Sequence, residues 1–332
     1  MSSDPMTAEP APDAADLPGD RPAARIVVGV DGSPGARAAL VWALAAAARS
    51  DAFLEVVSTF PVTDLYWVDP YLLDPGRIES IQSDTDARVR ALLNEVMSEP
   101  AVATVKGAEA IQVHVVVLPG PPTEHLVQRA AGAQLLVVGS RGRGGVRSTL
   151  LGSVALHCST HAPCPVVVVH PTPQPAAGRV VVGVDDSDMS RAALARAVQE
   201  AGRLGAEVEA VVVYQPVSYW SELYAVTAVP VGETLEQAQR RGEAIVAEVL
   251  GEEAGVAVRV VAEDGAPGDV LVRRADGAAL LVVGSRSHNR LVGMVLGSVA
   301  LHCVVHAPCP VMVVRPESAQ AAAFSSTSAA GV

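Results

Sequence analysis

Short apolar runs alternate with longer segments of mixed polarity along most of the chain. Runs that are continuously rich in Val and Leu are typical of strands buried on both faces of a parallel sheet. The segments between them have the spacing of helices that would cover such a sheet. In the first half the predicted strands are Arg25–Val30, Phe53–Thr59, Ile111–Val117, Leu135–Gly139 and Val166–His170, and the predicted helices are Pro34–Ser50, Ile78–Met97, Thr123–Ala131 and Ser148–Thr160.

The second half repeats the first, which indicates an internal duplication. The segment Leu151–Cys158 recurs unchanged at Leu296–Cys303, and His161–Val166 recurs at His306–Val311. A period of about 150 residues is too long for a solenoid repeat and fits a duplicated domain. The predicted strands of the second half are Arg179–Val184, Glu207–Val213, Ala257–Ala262, Leu280–Gly284 and Val311–Arg315.

The pattern therefore predicts an α/β fold with two tandem domains, each a parallel sheet flanked by helices. We expect the domains at residues 25–170 and 179–315, joined by a linker at 171–178. Residues 1–24 and 316–332 are biased in composition and are expected to be disordered tails.

The charge and composition of the chain limit the classes of molecule that it is expected to bind. A net charge of −12 argues against a surface that binds nucleic acid. No apolar run approaches the roughly 20 residues needed to span a bilayer, so no membrane partner is expected. Residues 1–24 lack the apolar segment of a secretory signal, which leads us to expect a cytoplasmic protein with reduced cysteines. Lys106 is the only lysine, which argues against a P-loop mechanism.

A glycine-rich segment follows the strand that ends at Gly139. Glycines allow the backbone to approach a phosphate closely, and the N–H groups of the loop and of the next helix can form an anion site. Arg141, Arg143 and Arg147 add positive charge there. A plain turn between strand and helix explains the glycines equally well, so they do not decide the matter alone.

Asp31 lies at the carboxyl end of the first predicted strand. Ligands of open parallel α/β sheets bind beyond the carboxyl ends of the strands, where strand order reverses. The Asp31 side chain could accept hydrogen bonds from an adenine or a ribose there. It could equally be a turn or capping residue before the helix.

The motif Gly139-x2-Gly142-x9-Gly152-Ser153, with the opening Val28-Gly-Val-Asp-Gly-Ser33, resembles the universal stress protein family in its tandem-domain form. The resemblance covers nearly all of residues 25–315. It implies Rossmann-like (adenine nucleotide alpha hydrolase-like) domains with five-stranded sheets. It also implies ATP binding, because family members with this motif bind ATP and those without it generally do not.

The resemblance also implies roles for particular residues. Gly29, Asp31 and Thr59 would face the nucleoside, Gly139 would lie near the ribose, and Gly142, Gly152, Ser153 and Val154 would hold the phosphates. ATP would bring Mg²⁺ with it. Pairing of the two domains within one chain would replace the dimerisation of single-domain relatives, and further homo-oligomers remain open.

The second half departs from the motif. Asp185, Gly284, Gly297 and Ser298 are in register, but Ser287 replaces Gly142 and Asp186 replaces Gly32. If the position of Gly142 requires a positive φ, a serine there costs on the order of 1 kcal/mol, and a carboxylate beside phosphates adds repulsion. Arg286, His288 and Arg290 could compensate. We expect two sites of unequal strength, with the first site tighter.

Two sets of four residues, each with two His and two Cys, invite a zinc interpretation. His157, Cys158, His161 and Cys164 recur as His302, Cys303, His306 and Cys309. A closed zinc site needs four convergent ligands, and prolines on both sides of Cys164 place it in a turn. Core or boundary positions are the better interpretation, so no metal ligands and no catalytic residues are assigned.

The leading hypothesis is an ATP-binding regulator of a stress or dormancy response, which changes conformation or protein partners with occupancy. The first alternative is a slow ATPase or phosphotransferase, although the sequence offers no obvious general base. The second alternative is a nucleotide-free scaffold. The aromatic segments Asp64–Asp74 and Ser218–Tyr224 are interpreted as loops anchored by their rings.

Overall fold

The computed structural model describes residues 24–61, 75–143, 151–171, 178–214, 234–251, 255–286 and 296–315. Most of the predicted tails and linker, and the two aromatic segments, lie outside these ranges. The strands are β1 (Arg25–Gly29), β2 (Phe53–Phe60), β3 (Val113–Pro119), β4 (Leu135–Gly139), β5 (Val166–Val169), β6 (Arg179–Gly183), β7 (Glu207–Tyr214), β8 (Val258–Asp264), β9 (Leu280–Gly284) and β10 (Val311–Val314).

The helices of the first half are α1 (Pro34–Ser50), α2 (Pro75–Met97), the single turn α3 (Pro100–Ala103), α4 (Pro122–Arg129) and α5 (Ser153–His161). Those of the second half are α6 (Asp188–Leu204), α7 (Leu235–Leu250), α8 (Pro267–Arg274) and α9 (Ser298–His306). A short 3₁₀ helix spans Ala108–Ala110. None of the described helices is both long enough and apolar enough to cross a membrane.

All ten strands belong to one sheet, in the order β3-β2-β1-β4-β5-β10-β9-β6-β7-β8. Within each half the five strands are parallel, which confirms the predicted α/β class. The halves meet where β5 pairs antiparallel with β10, with Val168 opposite Val311 and Val166 opposite Val313. In each half the chain order reverses beside the first strand, between β1 and β4 and between β6 and β9.

Helices cover both faces of the sheet, so its strands are buried on both sides and the core has two apolar layers. On one face α1, α2, α6 and α7 pack against alternate strand residues, including Val28 and Val182. On the other face α4, α5, α8 and α9 pack against the remaining ones, including Val27 and Val181. Each layer is continuous across both halves, so the β5–β10 joint is part of the core.

Capping residues set where the first helix of each half begins. Ser33 caps α1 by accepting a hydrogen bond from the Ala36 N–H at 3.1 Å, and Pro34 occupies the first helical position. Ser187 caps α6 in the same way through the Ser190 N–H. The predicted start of α1 is therefore confirmed, and these caps fix the loops that follow β1 and β6.

The last helix of the first half begins later than predicted, at Ser153 rather than Ser148. Gly152 has an extended backbone, and its N–H donates to the Ser140 carbonyl at 2.8 Å. This hydrogen bond returns the chain to the end of β4 before the helix starts. The same arrangement joins Gly297 to Ser285 before α9.

Each half has a buried carboxylate on its second strand that lies among arginines. Glu209 on β7 is 1% exposed and faces Arg179 and Arg274, each at 3.4 Å, and Arg259 on the neighbouring strand. Its counterpart Glu55 on β2 pairs with arginines of β1 and α4. Buried charges persist only when they are paired, so these clusters tie three or more elements together.

Candidate functional site

A cavity of about 970 Å³ lies beyond the carboxyl ends of β1, β2 and β4, where strand order reverses in the first half. The start of α1, the side of α2 and the start of α5 enclose it. All the residues that the sequence assigned to a first site line this one cavity: Gly29, Asp31, Thr59, Gly139, Gly142, Gly152, Ser153 and Val154. Residues separated by more than a hundred positions thus converge on one site.

Asp31 joins two loops of the cavity. One carboxylate oxygen accepts a hydrogen bond from the Ser33 N–H, and the other accepts one from the Arg143 N–H, both at 2.9 Å. The first bond is local and steadies the turn before α1. The second bond reaches the glycine-rich loop after β4. Asp31 therefore acts as a turn residue, and this role is compatible with its lining the cavity.

Close backbone contacts explain two glycines. A Cβ on Gly139 would lie 2.4 Å from the Gly35 carbonyl carbon, and a Cβ on Gly35 would lie 2.3 Å from the Arg141 carbonyl oxygen. Because both obstacles are backbone atoms, no side chain can be accommodated by a rotamer change. Sequence reasoning missed Gly35, since a glycine in the first turn of an Ala-rich helix gives no distinctive signal.

The reason for a glycine at position 142 differs from the sequence expectation. Gly142 does not have a left-handed φ, so the conditional strain argument for this position is wrong. A Cβ here would instead lie 2.7 Å from the Asp31 carboxylate oxygen Oδ2. A side chain at position 142 would have to displace the carboxylate that holds the Arg143 N–H.

The helix α2 supplies a wall of the cavity that sequence reasoning did not predict. Its apolar residues Ile81, Val89 and Leu92 face the cavity. Arg88 also lines it, and one guanidinium nitrogen donates to the hydroxyl of the buried Thr85 at 2.9 Å. A single arginine on an amphipathic helix looks like an ordinary solvated residue in the sequence.

The cavity is positively charged although the chain is acidic. Its described lining contains one carboxylate, Asp31, and three guanidinium groups, which belong to Arg88, Arg141 and Arg143. The N-terminus of α5 opens at Ser153 on the same cavity, and unpaired N–H groups at helix starts favour anions. Charge and backbone together suit a ligand that carries negative charge.

The corresponding loops of the second half are arranged differently. The Asp185 carboxylate accepts hydrogen bonds from the N–H and hydroxyl of Ser187. Asp186, in the position of Gly32, lies 3.5 Å from the Arg241 guanidinium on α7. Gly297 and Ser298 keep their places at the start of α9. Residues 287–295, including Ser287, His288 and Arg290, lie outside the described residues, as does Arg147 in the first half.

Met189 is a further difference between the halves. It occupies the position of Gly35, and a Cβ on Gly284 would lie 2.8 Å from its Cβ. Its sulfur is 3.7 Å from the Ser285 hydroxyl. In the first half the Arg141 carbonyl lies where a side chain at position 35 would begin. Because Met189 has a side chain at the corresponding position, the loop after β9 cannot follow the course that the loop after β4 takes.

The cysteines do not form a metal site with the nearby histidines. All four are free and buried, whereas His161 and His306 are exposed. Among the described residues, no group of three or more His, Cys, Asp or Glu side chains converges as a metal site. Cys158 and Cys303 pack in the core beneath their helices.

We expect the thiols to be unreactive in the folded protein. Burial raises the pKa of Cys158, Cys164, Cys303 and Cys309 to about 12. Because the thiolate is the reactive form, almost none is present at pH 8. Titration with a disulfide reagent should label fewer than one thiol per native chain and all of them in denaturant. Rapid labelling of the native chain would contradict the buried placement.

The Universal stress protein family model matches residues 23–170 and again residues 177–315. The chain belongs to the universal stress protein family. A universal stress protein of Mycobacterium tuberculosis is 33% identical over 306 residues, covering 87% of this chain and 96% of that protein. One from Mycolicibacterium smegmatis is 31% identical over 303 residues, covering 88% and 97%.

A solved universal stress protein from Archaeoglobus fulgidus has the same fold, with a TM-score of 0.61 and 20% identity. The superposition covers 88% of this chain and 98% of the solved chain. The double match of the family model and the coverage of the relatives confirm the tandem form of this universal stress protein. The family relates the protein to stress.

Proposed function

We propose that this universal stress protein binds ATP in its first half. The observation that carries the proposal is the convergence of all eight predicted first-half residues on one cavity of about 970 Å³ with an excess of positive charge. The close contacts at Gly35, Gly139 and Gly142 hold the loop after β4 against the start of α1 and against Asp31, at the edge of the cavity. This arrangement fits a polyphosphate, which backbone N–H groups and a helix start can hold.

Each part of the ligand has a wall suited to it. The base and ribose fit against the apolar residues of β2 and α2, beside Gly29, Asp31 and Thr59. The phosphates fit against Gly142, Gly152 and the start of α5. Mg²⁺ would be held chiefly by the phosphates, because Asp31 is the sole carboxylate among the described lining residues.

The lining favours binding over turnover. It contains no histidine or lysine among the described residues, and both oxygens of its carboxylate already accept backbone hydrogen bonds. A general base must be free to take a proton from the attacking group. Occupancy would then act by changing the two loops that Asp31 joins, and so the surface offered to protein partners in a stress or dormancy response.

The second half is proposed to bind nucleotide more weakly. Asp185, Gly284, Gly297 and Ser298 retain the motif, but Met189 and Asp186 change the loops around them. The division into domains at 25–170 and 179–315 with a linker at 171–178, the cytoplasmic location and any homo-oligomer are likewise proposals.

Identification of the molecules released when the purified full chain is denatured tests the function. We expect an adenine nucleotide, or, if none copurifies, saturable ATP binding in a titration of the native protein. Steady ADP release at many turnovers per minute would favour the enzyme alternative. A chain that neither carries nor binds nucleotide would leave the scaffold alternative.

A further inference from the structure

We infer that Arg88 contacts a phosphate of the nucleotide, and that the second half satisfies the equivalent arginine internally with Asp186. The inference rests on the proposed nucleotide binding and adds a specificity-determining residue outside the glycine motif. It follows from comparing the two halves of the molecule.

Arg88 is an exposed side chain that a buried group orients. Its guanidinium lines the cavity, and one nitrogen donates to the Thr85 hydroxyl at 2.9 Å. Thr85 is 6% exposed, so its hydroxyl is fixed in the packing of α2 against the sheet. A guanidinium has five N–H donors, and a single bond to Thr85 leaves donors for an anion.

An equivalent ion pair in each half shows which residues of α2 and α7 correspond. Arg37 on α1 pairs with Glu95 on α2 at 2.8 Å, and Arg191 on α6 pairs with Glu248 on α7 at 3.1 Å. Arg37 and Arg191 each stand four residues after the capping serine of their helix. Glu95 and Glu248 each stand two residues before the end of theirs. Seven residues before each glutamate stand Arg88 and Arg241, so Arg241 is the counterpart of Arg88.

The second half shows what such an arginine binds. The Arg241 guanidinium lies 3.5 Å from the carboxylate of Asp186. Asp186 itself is held in place, since the Arg191 side chain donates to its carbonyl at 2.6 Å. The position of Asp186 in the first half is Gly32, which has no side chain and a left-handed φ of 80°.

The halves thus present the same arginine in two states. In the second half, a carboxylate of the protein lies against it. In the first half, Gly32 offers no carboxylate, and the Arg143 guanidinium lies 2.5 Å from where its Cβ would be, so both Arg143 and Arg88 line a cavity with an excess of positive charge. An anionic group of the ligand between this loop and α2 would meet Arg88 as Asp186 meets Arg241, with Arg143 beside it.

Titration calorimetry of the full chain with ATP and with adenosine tests the role of Arg88. We expect Arg88→Gln to weaken ATP binding about tenfold and to change adenosine binding less than twofold, because adenosine has no phosphate. Arg88→Lys, which keeps the charge, should recover part of the loss. The matched control is Arg90→Gln, on the same helix, where the arginine pairs with Asp86 at 2.6 Å. It should change neither affinity.

Introducing the second-half carboxylate into the first half tests the comparison. Gly32→Asp should weaken ATP binding about tenfold more than Gly32→Asn, since both residues tolerate a left-handed φ and differ in charge. In the Arg88→Gln background this difference should shrink, because the carboxylate then acts only on Arg143 and on the phosphates.

Several results would overturn the inference. Equal losses of ATP and adenosine affinity in Arg88→Gln, or equal effects of Arg88→Gln and Arg90→Gln, would remove Arg88 from the phosphate site. A difference between Gly32→Asp and Gly32→Asn that is unchanged without Arg88 would do the same. If the unsubstituted chain binds no ATP, the proposed function fails, and the inference fails with it.

Discussion

Gly142→Glu should lower the affinity for ATP roughly a hundredfold or more, about 2.8 kcal/mol. A Cβ at this position would lie 2.7 Å from Asp31 Oδ2, so the carboxylate must move and release the Arg143 N–H. The added carboxylate would also repel the phosphates. Calorimetric titration of the full chain with ATP, and the amount of nucleotide that copurifies, both measure the loss.

Gly178→Glu provides the control for this prediction. It makes the same chemical change at a glycine whose Cβ would meet no atom within 4 Å and whose φ is not left-handed. ATP affinity should stay within about twofold of the unsubstituted chain. Unchanged binding in Gly142→Glu, or similar losses in both variants, would show that the glycine loop does not hold the ligand.

Glu209→Ala should lower the free energy of unfolding by about 3 kcal/mol. The carboxylate is 1% exposed and faces Arg179, Arg259 and Arg274, so its removal leaves their charges without a buried partner. We place the effect at the low end for a broken buried pair, because the three arginines are partly exposed and regain some hydration. Urea unfolding followed by circular dichroism gives the shift in midpoint.

Glu236→Ala is the matched control, since Glu236 and Arg240 form an i,i+4 pair whose side chains are 81% and 76% exposed. Exposed pairs of this kind contribute little, and we expect a change of no more than about 0.5 kcal/mol. Equal midpoints for Glu209→Ala and the unsubstituted chain would show that solvent compensates the arginines fully.

The fold class and the approximate places of the strands could be predicted from the sequence, because buried parallel strands are continuous apolar runs. The antiparallel β5–β10 joint could not be placed, since both strands are short valine-rich segments with the same pattern as their parallel neighbours. Glu209 was equally invisible, as nothing local shows that arginines of three other elements surround it.

The first-site residues could be listed from a motif that depends on backbone geometry. Their convergence on one cavity follows from the reversal of strand order between β1 and β4. Gly35 was missed because its close contact is with the distant Arg141 carbonyl, and Arg88 was missed because its place in the cavity wall depends on how α2 packs. The reason for Gly142 was also missed, since a clash with Asp31 depends on tertiary structure.

The β5–β10 joint has a consequence for how the two halves can change. In a dimer of identical subunits, each substitution appears twice and alters both sites together. Here the two sides of the joint are encoded separately, so Gly35 and Met189, or Gly32 and Asp186, vary independently across one continuous core. Within one chain, one half can therefore keep the residues proposed to bind the ligand, while the residues of the half that it stays paired with change.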